Sequence, residues 1–227
     1  MLAIYRRVKE RAECADADSR ESFLIGCHST NDLWPLALPL ARMRSQRQNL
    51  YPVFRVIPFE HLYRRLLEEA VDVVVAFRED ASKEGIHYQE LTRVSLTRVA
   101  PAPPECPDGL RLCDLTREPL VVLDPQKCPA AYRVPLHRVL ESCSPAQVYF
   151  CDTVEVALTL ARAGFGAALL PDLFQSRPSA LCFTPVVDAA PLSYGLHYKT
   201  LTGHPLRRDF VRLARQTLGD PAPADSE

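Results

Sequence analysis

The sequence predicts an α/β protein built from two Rossmann-like lobes joined by a hinge. Short apolar segments alternate with segments of helical periodicity, an order that predicts parallel strands covered by helices. This alternation occurs twice, on either side of a proline-rich segment at residues 100–104. The length of 227 residues is also ample for a bilobal domain. We therefore expect two similar halves with a cleft between them.

The first lobe is predicted from a β-α-β-α-β order. An apolar strand at residues 23–26 precedes a polar segment at 28–31, which offers N-cap residues for a helix over about residues 32–48. Pro39 is expected to bend or delay that helix. The remaining predicted elements are a strand at 53–57, a helix at 59–70, a strand at 71–75 and a strand that runs from 94 into the proline-rich segment.

The second lobe repeats this order. Its predicted elements are strand 120–123, helix 132–143, strand 147–150, helix 153–163 and strand 167–170, which Pro171 ends. A strand at 195–198 and a helix at 206–218 then complete the first lobe. The predicted division is 22–99 and 186–218 for the first lobe, 100–185 for the second, and 219–227 for a disordered tail.

Composition narrows the class of protein. A formal net charge of -1 is less basic than is usual for a stand-alone nucleic-acid binder. The sequence lacks an apolar run of about 18 residues for a membrane span, and its start does not resemble a signal peptide. We therefore expect a cytoplasmic protein without membrane contact. The eight cysteines form no CxxC pair and the histidines near them lack ligand spacing, so we expect no metal site.

The segment 152–171 carries the most specific pattern of the chain. A predicted helix ends at a Gly-x-Gly turn, formed by Gly164 and Gly166, and a strand follows that Pro171 ends. Gly164 can take the left-handed C-cap conformation, and Gly166 permits a tight turn into the strand. This segment resembles the best-marked region of the effector-binding domains of LysR-type transcription regulators.

Three further segments, 23–29, 66–75 and 112–120, follow the order of that family. The resemblance implies the fold of type 2 periplasmic binding proteins, with a small-molecule effector between two hinged lobes, no catalysis and no cofactor. Residues 1–21 resemble the end of the family's linker helix. The family's N-terminal winged helix-turn-helix is absent from this sequence, so DNA is expected to bind only through that domain.

The resemblance also implies an assembly. In the family, these domains pair side by side and antiparallel, which here brings helix 32–47 of one chain against helix 153–163 of another. We expect a homodimer or a tetramer.

The effector is expected outside the carboxyl ends of the strands, where helices begin. The residues expected to contact it are His28, Ser29, Thr30, Asn31, Pro58, Phe59, Phe77, Arg78, Ala100, Pro101, Asp124, Cys151, Asp152, Thr153 and Phe165. The resemblance places Ser29, Thr30 and Thr153 nearest to the ligand. Hydroxyl and N–H donors there suit a small carboxylate, although each of these residues is also an ordinary N-cap type.

Three alternatives stay open at this point. The segment 120–128 resembles the one that carries the reactive cysteine of peroxide-sensing members of the family. In that hypothesis Lys127 lowers the pKa of the Cys128 thiol, and Cys143 is the resolving partner. A solute-binding protein of a transporter shares the fold but requires an export signal. An enzyme on this scaffold is the third alternative, although the sequence shows no nucleophile with an adjacent base.

Overall fold

The computed structural model describes residues 20–79, 85–103, 109–174 and 177–218. Within them the strands are β1 (Glu21–Cys27), β2 (Leu50–Val56), β3 (Val73–Phe77), β4 (His87–Val94), β5 (Leu96–Ala100), β6 (Leu120–Leu123), β7 (Val148–Cys151), β8 (Ala167–Pro171), β9 (Cys182–Pro185) and β10 (Leu192–Tyr198). The α-helices are α1 (Ala37–Gln46), α2 (Phe59–Leu67), α3 (Ala130–Leu140), α4 (Val154–Arg162) and α5 (Pro205–Leu218). Short 3₁₀ helices lie at Thr30–Leu36, Leu112–Arg117 and Pro145–Gln147.

Two of the predictions concern the ends of the chain. The linker-helix prediction for 1–21 lies outside the described residues except at its last two positions, and there Glu21 already belongs to β1. The predicted disordered tail at 219–227 also lies outside the described residues.

A five-stranded sheet with the order β2-β1-β3-β10-β4 forms the first lobe. β1 pairs in parallel with β2 and β3, whereas β10 pairs antiparallel with β3 and β4. All five residues of β3 are apolar and buried, as expected for a central strand that is covered on both faces. Leu62, Tyr63 and Leu66 form the buried face of α2 against this sheet.

The second lobe repeats the plan in a sheet with the order β7-β6-β8-β5-β9. β6 pairs in parallel with β7 and β8, and β5 pairs antiparallel with β8 and β9. The fourth strand in this order is β10 in the first sheet and β5 in the second. In each case it is the strand with which the chain enters that lobe from the other one. The predicted fold of two α/β lobes is confirmed.

The chain crosses between the lobes twice. The first crossing is at Ser95, because β4 belongs to the first sheet and β5 to the second. The predicted boundary between residues 99 and 100 therefore lies one strand too late, since the proline-rich segment marks the end of β5 and not the crossing. The second crossing lies between β9 and β10, and there Val186 N donates to Leu96 O at 2.9 Å. The two crossings are thus tied to each other.

Proline controls where the first helix of the chain starts. The turn after β1 is a 3₁₀ helix that contains Pro35, and α1 begins only at Ala37, with Pro39 in its first turn. The α-helix thus starts later than the predicted residue 32, and Pro39 falls in its first turn, where a proline lacks only an N–H that has no helical partner. No helix among the described residues combines the length and the apolar character that crossing a membrane requires.

Candidate functional site

A narrow cavity of about 50 Å³ lies between the two lobes. Its first-lobe wall follows the carboxyl ends of β1 and β3, and its second-lobe wall follows those of β6 and β8. The lining residues are His28, Ser29, Asn31, Asp32, Phe59, Ala76, Phe77, Leu123, Pro129, Tyr132, Val154, Pro171, Leu173 and Phe174. The parallel strands of both sheets end at this cavity, which is where open α/β folds bind ligands.

The polar end of the cavity is a capping box at the start of the 3₁₀ helix Thr30–Leu36. The Ser29 hydroxyl accepts a hydrogen bond from Asn31 N at 3.2 Å, and Asp32 Oδ2 accepts one from Ser29 N at 2.9 Å. Tyr194 OH donates to the backbone oxygen of Asp32. These bonds fix the loop after β1, so that its hydroxyl groups face the second lobe.

Glu155 of α4 reaches across the cleft to this loop. Its Oε1 accepts a hydrogen bond from Thr30 Oγ1 at 2.9 Å and from Ser29 Oγ and Asn31 Nδ2 at 3.5 Å each. Partial burial raises the pKa of Glu155, but hydrogen bonds from Thr30, Thr153 and Ser29 lower it, and the net change is a decrease. The hydroxyl groups of both lobes therefore surround one carboxylate of the chain itself.

Two titratable groups line the same end, the buried Asp32 and the half-buried His28. Burial raises the pKa of Asp32 to about 7, against the hydrogen bonds from the backbone of Ser29 and His28, and Glu155 raises it further. Burial also lowers the pKa of His28, which favours the neutral ring. Its Nδ1 is buried without a hydrogen-bond partner among the described residues. Burial therefore disfavours a positive charge on the histidine at this polar end.

The opposite wall of the cavity is apolar. Tyr132 is fully buried and its hydroxyl donates to Leu169 O, so that its ring and not its hydroxyl borders the space. Leu123, Val154 and Phe174 extend this wall. A cavity with a polar end and apolar walls suits a small molecule that carries one polar group on an apolar body.

The structure places the fifteen expected contact residues in three groups. Five of them line the cavity: His28, Ser29, Asn31, Phe59 and Phe77. Thr30 and Thr153 lie beside it, where Thr30 bonds to Glu155 and Thr153 is the N-cap of α4. The others do not line it: Pro58, Arg78, Ala100, Pro101, Asp124, Cys151, Asp152 and Phe165.

Five of these outer residues have roles elsewhere, close to the strand ends. Arg78 lies over the ring of Tyr88, with 5.8 Å between guanidinium carbon and ring centroid. The carboxylate of Asp124 accepts a hydrogen bond from Gln126 N, and the buried Cys151 thiol donates to Val122 O. Asp152 pairs with Lys127 at 2.6 Å. Pro58 is the N-cap residue of α2.

Ala100, Pro101 and Phe165 point to a different edge for a clear physical reason. Ala100 ends β5, which runs antiparallel to β8, so its end lies at the edge opposite to the cavity, next to Cys182. The Cys182 thiol donates to Pro101 O there. Phe165 follows the carboxyl end of α4, whose amino end faces the cleft, and its exposed ring packs against Tyr149.

Several lining residues were missed by sequence reasoning. Pro171 ends β8 and Leu173 and Phe174 follow it, and the strand-end rule that selected the other loops would have selected this one too. Asp32 has a local signal as the third helical residue after Ser29, the acidic position of a capping box. Tyr132 has none, because a tyrosine on a helix face is usually core.

Comparison with known proteins identifies the family. The profile of the LysR substrate binding domain matches residues 17–219. The chain belongs to the LysR substrate-binding domain family. No curated protein sequence matches it significantly. The prediction from the Gly-x-Gly segment is thereby confirmed, and the chain is a substrate-binding domain of LysR-type regulators.

Solved structures of LysR-type proteins share the fold at low sequence identity. Full-length CbnR in complex with its target DNA matches with a TM-score of 0.75 and 15% identity, over 96% of this chain and 78% of that one. The effector-binding domain of a BenM variant matches with a TM-score of 0.71 and 19% identity, over 88% and 95%. The reduced regulatory domain of OxyR from Pseudomonas aeruginosa matches with a TM-score of 0.67 and 14% identity, over 89% and 98%. At these identities the similarity concerns the fold alone.

The LysR fold in this chain does not favour the redox alternative. Burial raises the pKa of the Cys128 thiol to about 12, and Lys127, which was expected to lower it, pairs with Asp152 instead. Cys128 precedes α3 and Cys143 follows it, so about 15 Å of helix separates them, whereas a disulfide needs Cα atoms within about 7 Å. The family match likewise favours a regulator over a solute-binding protein of a transporter.

Proposed function

We propose that this LysR domain senses a small-molecule effector bound in the cavity between its lobes. The single observation that carries the proposal is the convergence of Ser29, Thr30 and Thr153, from two lobes, around one carboxylate group. The group is that of Glu155, and it demonstrates that this donor set suits a carboxylate. We therefore keep a small carboxylate with an apolar body as the proposed effector class.

Lobe movement is part of this proposal. A cavity of about 50 Å³ is far smaller than the roughly 300–1,000 Å³ of pockets that hold drug-sized ligands. An effector of more than a few atoms therefore requires the lobes to separate about the two tied crossings. Such a rotation changes the surface that the domain presents to neighbouring domains, and this difference is what an effector can stabilise.

The proposed output is control of DNA binding. We propose that a winged helix-turn-helix domain of the same regulator contacts DNA in the cytoplasm. The substrate-binding domain then only transmits the effector signal. The near-neutral charge of the chain supports this division of labour. We also propose binding without catalysis, because the Ser29 hydroxyl bonds to Asn31 and Glu155, which leaves it without a histidine base in the described contacts.

A homodimer is the proposed assembly, and a tetramer would need a further interface. Leu38 of α1 and Val156 of α4 are exposed apolar residues on the two helices expected to pair. The edge strands beside these helices, β2 and β7, add more exposed apolar side chains: Tyr51, Phe54, Val56, Tyr149 and Phe150. Two such surfaces, one on each lobe, support an antiparallel pair that buries each against the other.

The effector site is tested by a thermal-shift screen with small carboxylates, followed by titration of every hit against variants. A ligand at 100 times its dissociation constant stabilises the fold by about 2.7 kcal/mol. We expect Ser29→Ala to weaken each hit about fivefold or more. Ser45→Ala is the matched control, because its hydroxyl donates to Arg42 O on the surface of α1 and makes no bond across the cleft to the described residues. If all hits bind Ser29→Ala as tightly as the unaltered protein, the cleft is not the site.

A further inference from the structure

Glu155 links two segments that are far apart in the chain. It lies in the first turn of α4 in the second lobe, and its partners Ser29, Thr30 and Asn31 belong to the loop after β1 in the first lobe. Three donors of the first lobe converge on a single oxygen, Oε1. An ion with several directed donors is held more firmly than one with a single contact.

The Glu155 carboxylate is important because of where it lies, rather than because of how strongly it is held. The donors that hold Glu155 are the ones that the proposed function assigns to an effector carboxylate. Two carboxylates cannot share them, because each hydroxyl has one proton to donate and like charges at contact distance repel. The buried Asp32 beside this site adds to the repulsion whenever it is ionised.

We propose that Glu155 is a tethered competitor of the effector. Its carboxylate occupies the anion-binding end of the cleft and holds the lobes together until an effector carboxylate displaces it. This inference rests on the proposed function, and it adds a reason why the cleft is narrow and why a weakly binding anion does not open it.

Release of Glu155 is structurally easy. Glu155 and Thr30 are both exposed at the mouth of the cleft, so the displaced carboxylate moves directly into water. It also stays in the first turn of α4, where a negative charge interacts favourably with the amino end of the helix. Contacts between exposed groups are weak, so a small ligand can displace the Glu155 carboxylate.

An anionic effector must therefore bind tightly enough to displace Glu155 from its donors, and this requirement does not apply to an uncharged ligand. Any ligand of more than a few atoms has to part the lobes, but only an anion needs the donors of Glu155 and is repelled by its carboxylate. Removal of the Glu155 carboxylate should therefore favour anions selectively. A residue that only supports the fold would alter the binding of both kinds of ligand alike.

The test compares benzoate with benzamide, which has the same ring but no charge, by isothermal titration calorimetry. The variants are Glu155→Gln, Glu155→Ala and, as control, Glu141→Gln, an exposed residue of the second lobe that pairs with His137 on its own helix. We expect benzoate affinity to rise about tenfold in Glu155→Ala, equivalent to ~1.4 kcal/mol, and by less in Glu155→Gln. Benzamide affinity should change less than about twofold, and the control should match the unaltered protein.

A second readout needs no ligand. Hydrogen exchange of residues 28–36, which lie on the lobe opposite to Glu155, should be faster in Glu155→Ala than in the control. Equal benzoate affinity in all variants, or weaker benzoate binding to Glu155→Ala, would overturn the proposal that Glu155 competes with the effector. If benzoate binds to none of the proteins, that result counts against the proposed effector class alone. The proposal about Glu155 then depends on the hydrogen exchange of residues 28–36. Equal exchange rates in Glu155→Ala and the control would overturn it.

Discussion

Replacement of Asp32 by Asn tests the electrostatics of the cleft most directly. Asp32 is buried, lines the cavity and has its pKa raised from 3.8 to about 7 by that burial. Asn is the same size and its side-chain oxygen can still accept the hydrogen bond from Ser29 N. The variant therefore removes a titration while it keeps the capping contact.

The sign and size of the effect follow from linkage. Below about pH 4 the carboxyl is protonated in both the folded and unfolded chain, and its contribution to stability is fully present. As the pH rises, the unfolded chain loses the proton first, so this contribution falls until the folded pKa of about 7 is passed. The whole difference corresponds to roughly 4 kcal/mol, of which roughly 2 to 3 kcal/mol falls between pH 5 and pH 8.

Urea unfolding at several pH values between 5 and 8 measures this slope. We expect the stability of the unaltered protein, relative to Asp32→Asn, to fall as pH rises. His28, whose pKa is lowered, contributes a slope of opposite sign, but it is present in both proteins and cancels in the difference. Asp114→Asn is the control, since Asp114 has the same capping-box position at a more open site. A difference that is flat or rises with pH would refute the reasoning.

The remaining predictions concern packing and reactivity. Gly166→Ala should destabilise by about 3 kcal/mol or more in urea unfolding, because a Cβ there lies 2.3 Å from a backbone oxygen. Gly164→Ala, with open space but a φ of +81°, should lose only about 1 kcal/mol, and the reverse order would contradict the packing. Iodoacetamide should label the exposed Cys113 well before the buried Cys128 in site-resolved mass spectrometry, and equal rates would revive a reactive Cys128. Arg98→Ala should lose about 2–3 kcal/mol by calorimetry, because it removes a buried guanidinium and its two hydrogen bonds to the partly exposed carboxylate of Glu118, and a loss below about 1 kcal/mol would contradict this.

Much of the fold was predictable because its central strands are apolar and its helices have one apolar face. β3 and β8 are continuous apolar runs, and the sequence predicts them within two residues of their observed starts. β4 was missed because it is a largely half-exposed strand with Gln, Glu and Arg among its residues. The sheet to which β5 belongs was also mistaken, because pairing partners are set by the tertiary fold and leave no local signal.

The site residues that follow strand ends were predictable from the sequence. The contacts that form where the two lobes approach each other were not. Ser29 and Phe59 follow parallel strands, and the general rule for α/β folds selects them. Glu155 was not selected because an acid in the first turn of a helix has a sufficient local explanation. Its partner Thr30 is 125 residues away, and only the folded structure brings them together.

The placement of β10 has a consequence for how this polypeptide matures on the ribosome. β10 lies between β3 and β4, so the half of the molecule whose synthesis begins first cannot finish its sheet until residues 192–198 have been made. The inserted half, from β5 to β9, is contiguous and is translated completely before that. The inserted half can therefore complete its sheet before the amino-terminal half does, which departs from the usual order in which the amino-terminal unit folds first.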